Sequence, residues 1–172
     1  VKEGKKVIVI DADMRKPAIC KMLDIPKEQV TDMVRLLQGE CGLDQTMYRD
    51  RQGLNLVMPT KGHSSTYEFV KSGAMKDLIK KCRKFADFVI IDTPPMSLLS
   101  DTEALLDDVD FSLLVIRQDF SYEKDIENCI NIMNDADSRF LGCILNDYKK
   151  FKIRETASVF KKFEDGEEVA HE

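Results

Sequence analysis

The chain has 172 residues, of which 43% are hydrophobic and 33% charged, with few glycines and prolines, so a disordered or fibrous chain is excluded. A core in a domain this size removes roughly 70% of the unfolded chain's surface from water, enough for stability without disulfides or a structural metal. The net charge of −5 argues against a dedicated nucleic-acid binder, which would carry a basic face.

Taken in chain order, short apolar runs alternate with helical periodicity. The strand candidates are Val7 to Ile10, Leu54 to Met58, Phe88 to Ile91, Ser112 to Ile116 and Phe140 to Leu145. Between them, Val30, Met33, Val34 and Leu37 fall at i, i+3, i+4, i+7. Met75, Leu78, Ile79 and Cys82 repeat that spacing, as do Ile126, Cys129, Ile130 and Met133. Ser100-Asp101-Thr102-Glu103 reads as a capping box opening a further helix, and Ile153, Ala157, Phe160 and Phe163 mark a last one. The alternation predicts an α/β fold, a mostly parallel sheet flanked by helices, as one unit over residues 1–172 with a C-terminal helix and acidic tail over 148–172. The basic stretch at Lys149, Lys150, Lys152 and Arg154 and the acidic tail read as solvated surface.

Five cysteines without a C-x-x-C pair read as reduced core residues, and His63 and His171 offer no zinc spacing. No apolar run is long enough to span a membrane or serve as a secretory h-region, so a cytoplasmic chain is expected.

In an open α/β sheet, ligands bind beyond the carboxyl ends of the strands. Two predicted strands end in acids there. VIVI runs into Asp11-Ala12-Asp13-Met14-Arg15-Lys16-Pro17, and FVII runs into Asp92-Thr93-Pro94-Pro95. If the two strands lie together, three carboxylates converge on one edge beside Arg15, a set of hard oxygens suited to Mg²⁺ and nucleotide phosphates. A single strand-end Asp more often caps a turn or helix; the convergence is what points to a site. A response-regulator receiver also carries strand-end acids, but Asp11 and Asp92 stand too far apart in the chain for it. No Lys directly follows the last predicted strand either, which ends Leu145-Asn146-Asp147.

VIVIDADMRKP resembles a Walker A′ motif and FVIIDTPP a Walker B motif, and together they resemble the P-loop tyrosine kinases of bacterial capsular and exopolysaccharide synthesis. Leu54 to Pro59, Thr66 to Ser72, LLVIR ending at Arg117 and GCILND ending at Asp147 extend the likeness, which covers about Lys6 to Asp147. The resemblance implies a P-loop NTPase-like fold shared with septum-site and partition ATPases, with ATP and Mg²⁺ as cofactors. It implies that Asp11 accepts the proton of an attacking tyrosine, Asp13 supports it and organises Mg²⁺ waters, Asp92 holds the Mg²⁺ shell and Arg15 stabilises charge near the phosphates. Asn146 matches the position that reads the adenine edge, with Arg117 as a second nucleotide-binding residue. An aspartate with an ordinary pKa near ~4 makes a weak base, which a loose phosphoryl-transfer transition state tolerates. Implied partners are a membrane polysaccharide co-polymerase or adaptor, which would hold the protein at the inner face of the membrane, protein tyrosine substrates, and further copies of the chain.

The sequence departs from that pattern in two places. G-x-x-x-x-G-K-[ST] is absent: Gly4-Lys5 leads into a strand, and Lys61-Gly62-His63-Ser64-Ser65 lacks the second Gly and the Lys. VKEGKK looks like the end of the P-loop helix, so the chain is expected to begin inside the domain, with the Walker A′ and Walker B strands lacking the neighbour they would share and apolar faces uncovered. Marginal stability or association, and no ATP turnover by these residues alone, are the corresponding expectations. The family's C-terminal tyrosine cluster is also absent, since the tyrosines are Tyr48, Tyr67, Tyr122 and Tyr148. A non-catalytic regulatory remnant and a partition-type ATPase remain alternative readings.

Overall fold

The computed structural model describes residues 1–64, 66–97 and 100–149. The helix expected around Ile153 to Phe163 therefore lies outside the described residues.

All five predicted strands form. They are β1 (Val7–Asp11), β3 (Asn55–Val57), β4 (Phe88–Asp92), β5 (Phe111–Arg117) and β6 (Arg139–Asn146); β2 (Tyr48–Arg49) is a short addition. The helices are α1 (Ile19–Met22), α2 (Met33–Leu37), α3 (Leu43–Thr46), α4 (Tyr67–Lys71), α5 (Ala74–Arg83), α6 (Ser100–Glu103) and α7 (Glu123–Asp135). Four strands make one sheet in the order β2-β3-β1-β4, parallel except for β2, and β5 and β6 make a parallel pair of their own.

Strand parity divides the core. Ile8 and Ile10 of β1, with Val57 of β3, face Met33 and Val34 of α2 and Met75, Leu78, Ile79 and Cys82 of α5 in one apolar cluster. The opposite face carries Val9, Leu56 and Met58 against Ile19, Cys20, Ile25 and Val30. The four-residue stripe predicted for α5 is buried in full. That helix also carries Asp77 in its first turn and Lys80, Lys81 and Arg83 in its last, complementing the helix dipole. The α7 stripe is buried at Cys129 and Met133. Cys20, Cys82 and Cys129 are buried free thiols as expected, whereas Cys143 is exposed.

Two expectations are corrected. The strands ending in Asp11 and Asp92 need no strand between them, because β1 and β4 pair directly over their whole length, Val7 with Phe88 through Asp11 with Asp92. The edges left without a ladder partner among the described residues are instead the outer sides of β4 and β2 in one sheet and of β5 and β6 in the other. The second correction concerns the capping box: Ser100 lies inside α6 instead of ahead of it, and that helix is a single turn.

Phe88, Ile90, Phe111, Leu113, Val115 and Leu141 are each more than half exposed, so the apolar surface of β4, β5 and β6 is largely uncovered on one side. Exposed apolar strand surface of this kind drives association. Sedimentation velocity is expected to show self-association of the chain that Ile90→Ser combined with Leu113→Ser reduces, with the far-UV circular dichroism unchanged; equal association of the double variant would assign the contact elsewhere.

Candidate functional site: carboxylates at the ends of two paired strands

The direct β1·β4 ladder puts Asp11 and Asp92 side by side, and in a parallel pair residues in register point to the same face. The connection beyond the ladder is closed by the Ala12 amide, which donates to the Asp92 carbonyl at 2.7 Å. Asp11 then turns the chain. Its two carboxylate oxygens accept from the Asp13 amide at 3.2 Å and the Ile19 amide at 3.5 Å, tying the loop 12–18 back onto the strand end. Asp13 accepts from the Lys16 amide at 2.9 Å.

Crowding at this edge shifts two of its acids, Asp11 and Asp92. Asp11 is only 1% exposed, and its carboxyl is pushed up to about 6, first by burial and then by the negative charges of Asp92 and Asp13, against the opposing amides of Ile19 and Asp13. Asp92, more open to solvent, is raised by partial burial and by Asp13, with the Thr93 amide opposing. The weak base of ordinary pKa expected from the sequence is thus replaced by a carboxyl that titrates close to neutrality, where a proton acceptor is most effective. Its depth also means that Asp13 and Asp92 form the reachable part of the set.

Arg15 belongs to the same edge, with its Nε donating to Asp101 Oδ2 at 3.3 Å. Asn146 and Arg117 are brought together as a register pair at the ends of β6 and β5. They sit in the two-stranded sheet, and no hydrogen bond among the described residues links them to the carboxylates. Arg117 there pairs with Asp147 at 2.9 Å and lies over the Phe120 ring at 5.3 Å.

Several contributors to this edge carry no sequence motif. Gly62 touches the Arg15 loop so closely that a Cβ at that position would meet the Arg15 carbonyl oxygen at 2.7 Å. The His63 amide donates to the Met14 carbonyl at 2.8 Å. Asp32 caps α2 through the Val34 amide and holds the Thr60 hydroxyl at 2.7 Å. Burial pushes the Asp32 carboxyl up, but the Thr60 hydroxyl, the Val34 and Thr60 amides and His63 together hold it below the usual range. The one signal available in the sequence was Gly62 itself, read there as a failed phosphate loop instead of a packing contact.

An all-oxygen set suits Mg²⁺, which takes one or two carboxylates and completes its shell with waters and phosphate. No group of three or more His, Cys, Asp or Glu side chains among the described residues is arranged to hold a metal unaided. A magnesium ion at this edge therefore needs phosphate oxygens and waters, and Asp92 and Asp13 are the side chains open to it. No helix among the described residues is long and apolar enough to cross a membrane.

No family model matches the chain. Against curated proteins, it is 28% identical over 145 residues to tyrosine-protein kinase CpsD of Streptococcus pneumoniae, covering 83% of this chain and 63% of that protein. It spans 20% of longer relatives of the same kind. Among solved structures, the kinase domain of VpsO is 30% identical with a TM-score of 0.75, over 86% of this chain and 72% of that one. The kinase domain of Escherichia coli tyrosine kinase ETK superposes with a TM-score of 0.79 at 22% identity, over 99% of this chain and 61% of that one, a likeness of fold.

Proposed function

Because the chain belongs to the bacterial tyrosine-protein kinases of capsule and exopolysaccharide biosynthesis, we propose that its Asp11, Asp13 and Asp92 edge serves ATP-dependent transfer of a phosphoryl group to tyrosine hydroxyls. The observation that carries the reading is the register pairing of Asp11 with Asp92, which makes one edge of acids from two distant segments. Phosphoryl transfer asks for positioning and for neutralisation of oxygen charge more than for covalent chemistry, and this edge is built for both.

Asp92 and Asp13 are the residues that would hold Mg²⁺, which would supply neutralisation of phosphate charge. Asp11, raised to about 6, is largely ionised at pH 7 and, being buried, takes the tyrosine proton through one water. Arg15 supplies a fixed positive charge toward the phosphates, and Asn146 with Arg117 contacts the nucleotide base side. The substrates are protein tyrosines, including those of other copies. The activating partner is a membrane-embedded polysaccharide co-polymerase or adaptor, and the protein works beside the membrane through it. The described residues contain no glycine-rich phosphate loop, so residues 1–172 alone are expected to bind Mg·ATP weakly and not to turn it over.

The test is made on the full-length gene product incubated with Mg·ATP. Asp11→Asn is expected to lower phosphotyrosine formation by about a hundredfold or more while nucleotide affinity stays within a few-fold, since a general base contributes ~10²–10⁴ to the rate. Asp92→Asn is expected to remove Mg²⁺-dependent nucleotide binding as well. Phosphotyrosine formation undiminished by Asp11→Asn would remove the assignment.

A further inference from the structure

We propose that Asp101 is the positioning residue for Arg15, and that Asp101 and Thr102 together brace the two loops that carry the carboxylates. The role rests on the phosphoryl-transfer reading given above.

Asp101 is 4% exposed, a depth at which a carboxylate needs partners. Its Oδ2 accepts from the Thr66 hydroxyl at 2.6 Å and from Arg15 Nε at 3.3 Å. Thr66 is itself buried at the start of α4 and cannot swing away, so the carboxylate that grips Arg15 is held from behind. The next residue, Thr102, donates to the Pro94 carbonyl at 2.8 Å, inside the loop that follows Asp92. One dipeptide thus touches the loop after β1 through Arg15 and the loop after β4 through Pro94.

The direction of the grip matters. Asp101 takes the Nε side of the guanidinium through its hydrogen bond, while the Arg15 side chain is one-third exposed. A guanidinium held by Nε presents its outer pair of N–H groups in a fixed fork, the geometry that binds phosphate oxygens bidentately. The backbone is fixed as well, by Gly62 against the Arg15 carbonyl and by the His63 amide on Met14. An ion pair kept only for stability gains little from this burial, because the desolvation of a carboxylate offsets most of the attraction. Orientation of Arg15 is the effect that the arrangement produces without such a cancellation.

Two measurements test this. In residues 1–172, the Arg15 Nε–H is expected to exchange with solvent at least about tenfold more slowly than that of Arg35, whose ion pair lies on the surface, and Asp101→Ala is expected to abolish the difference. Equal exchange in the unaltered chain overturns the contact, and this holds even if Asp101→Ala does not fold. In the full-length gene product, Asp101→Ala is expected to lower kcat for tyrosine phosphorylation by roughly a hundredfold with KM for ATP nearly unchanged, the cost of misplacing a positioned group by ~1 Å. Asp101→Asn, which can still accept both bonds, should restore most of the rate. In an Arg15→Ala background, Asp101→Ala should cause no further loss, because the two act as one unit. Independent, multiplying losses in an active protein overturn the positioning role alone. A full-length protein that transfers no phosphate to tyrosine sinks the parent reading, and this role with it.

Discussion

Asp11→Asn is expected to make the chain more stable at neutral pH, not less. The folded carboxyl titrates at about 6 against an unfolded value of 3.8. Between those two values the folded state binds more protons than the unfolded one, so stability is full below the unfolded value and falls as pH rises through the folded one. Two units of separation correspond to roughly 3 kcal/mol above pH 6, the cost of holding a buried charge beside Asp92 and Asp13. Asparagine carries no such charge; its carbonyl keeps the Asp13 amide, and only the longer 3.5 Å contact with the Ile19 amide is given up. Urea unfolding from pH 4 to 7.5 should therefore show variant and parent converging near pH 4 and the variant ahead by about 2–3 kcal/mol at pH 7.5. A gap independent of pH would mean that Asp11 is not the group carrying the cost.

The second large effect is expected one residue earlier. Ile10 is fully buried, paired with Val57 on one side and Ile91 on the other, within the cluster that α2 and α5 complete. Ile10→Ala should cost about 2–5 kcal/mol, since the flanking ladders prevent collapse around the lost methyl groups. Against a total of ~5–15 kcal/mol this brings the chain close to unfolding at room temperature. Ile90→Ala, in the adjacent strand but more than half exposed, should cost under about 1 kcal/mol. Denaturant midpoints of the two variants measure the contrast, and similar losses would contradict the one-sided cover of β4.

Much of this was legible from the amino acids. Consecutive apolar residues at Val7 to Ile10 and Phe88 to Ile91 marked two strands, the second covered on one side only, and the acids that follow them marked the edge where chemistry belongs. The pairing of those strands was not legible, because residues at 11 and 92 become neighbours through a crossover whose strand order leaves no trace in local periodicity. β2 was missed because two residues are too few for any period. Thr66, Asp101 and Thr102 were hidden for a different reason: they are polar residues of common turn and cap type, and only their burial distinguishes them. The raised Asp11 carboxyl likewise depends on three-dimensional crowding, which composition does not encode.

The spacing between the acids is set by the β1·β4 ladder and not by the length of chain between them. The two act like jaws bolted to a single plate. Surface turns in the intervening stretch, such as those at Gly39 and Gly53, are free to gain or lose residues without opening or closing that grip. A change of length in those turns is therefore expected to leave the Asp11 and Asp92 positions in register.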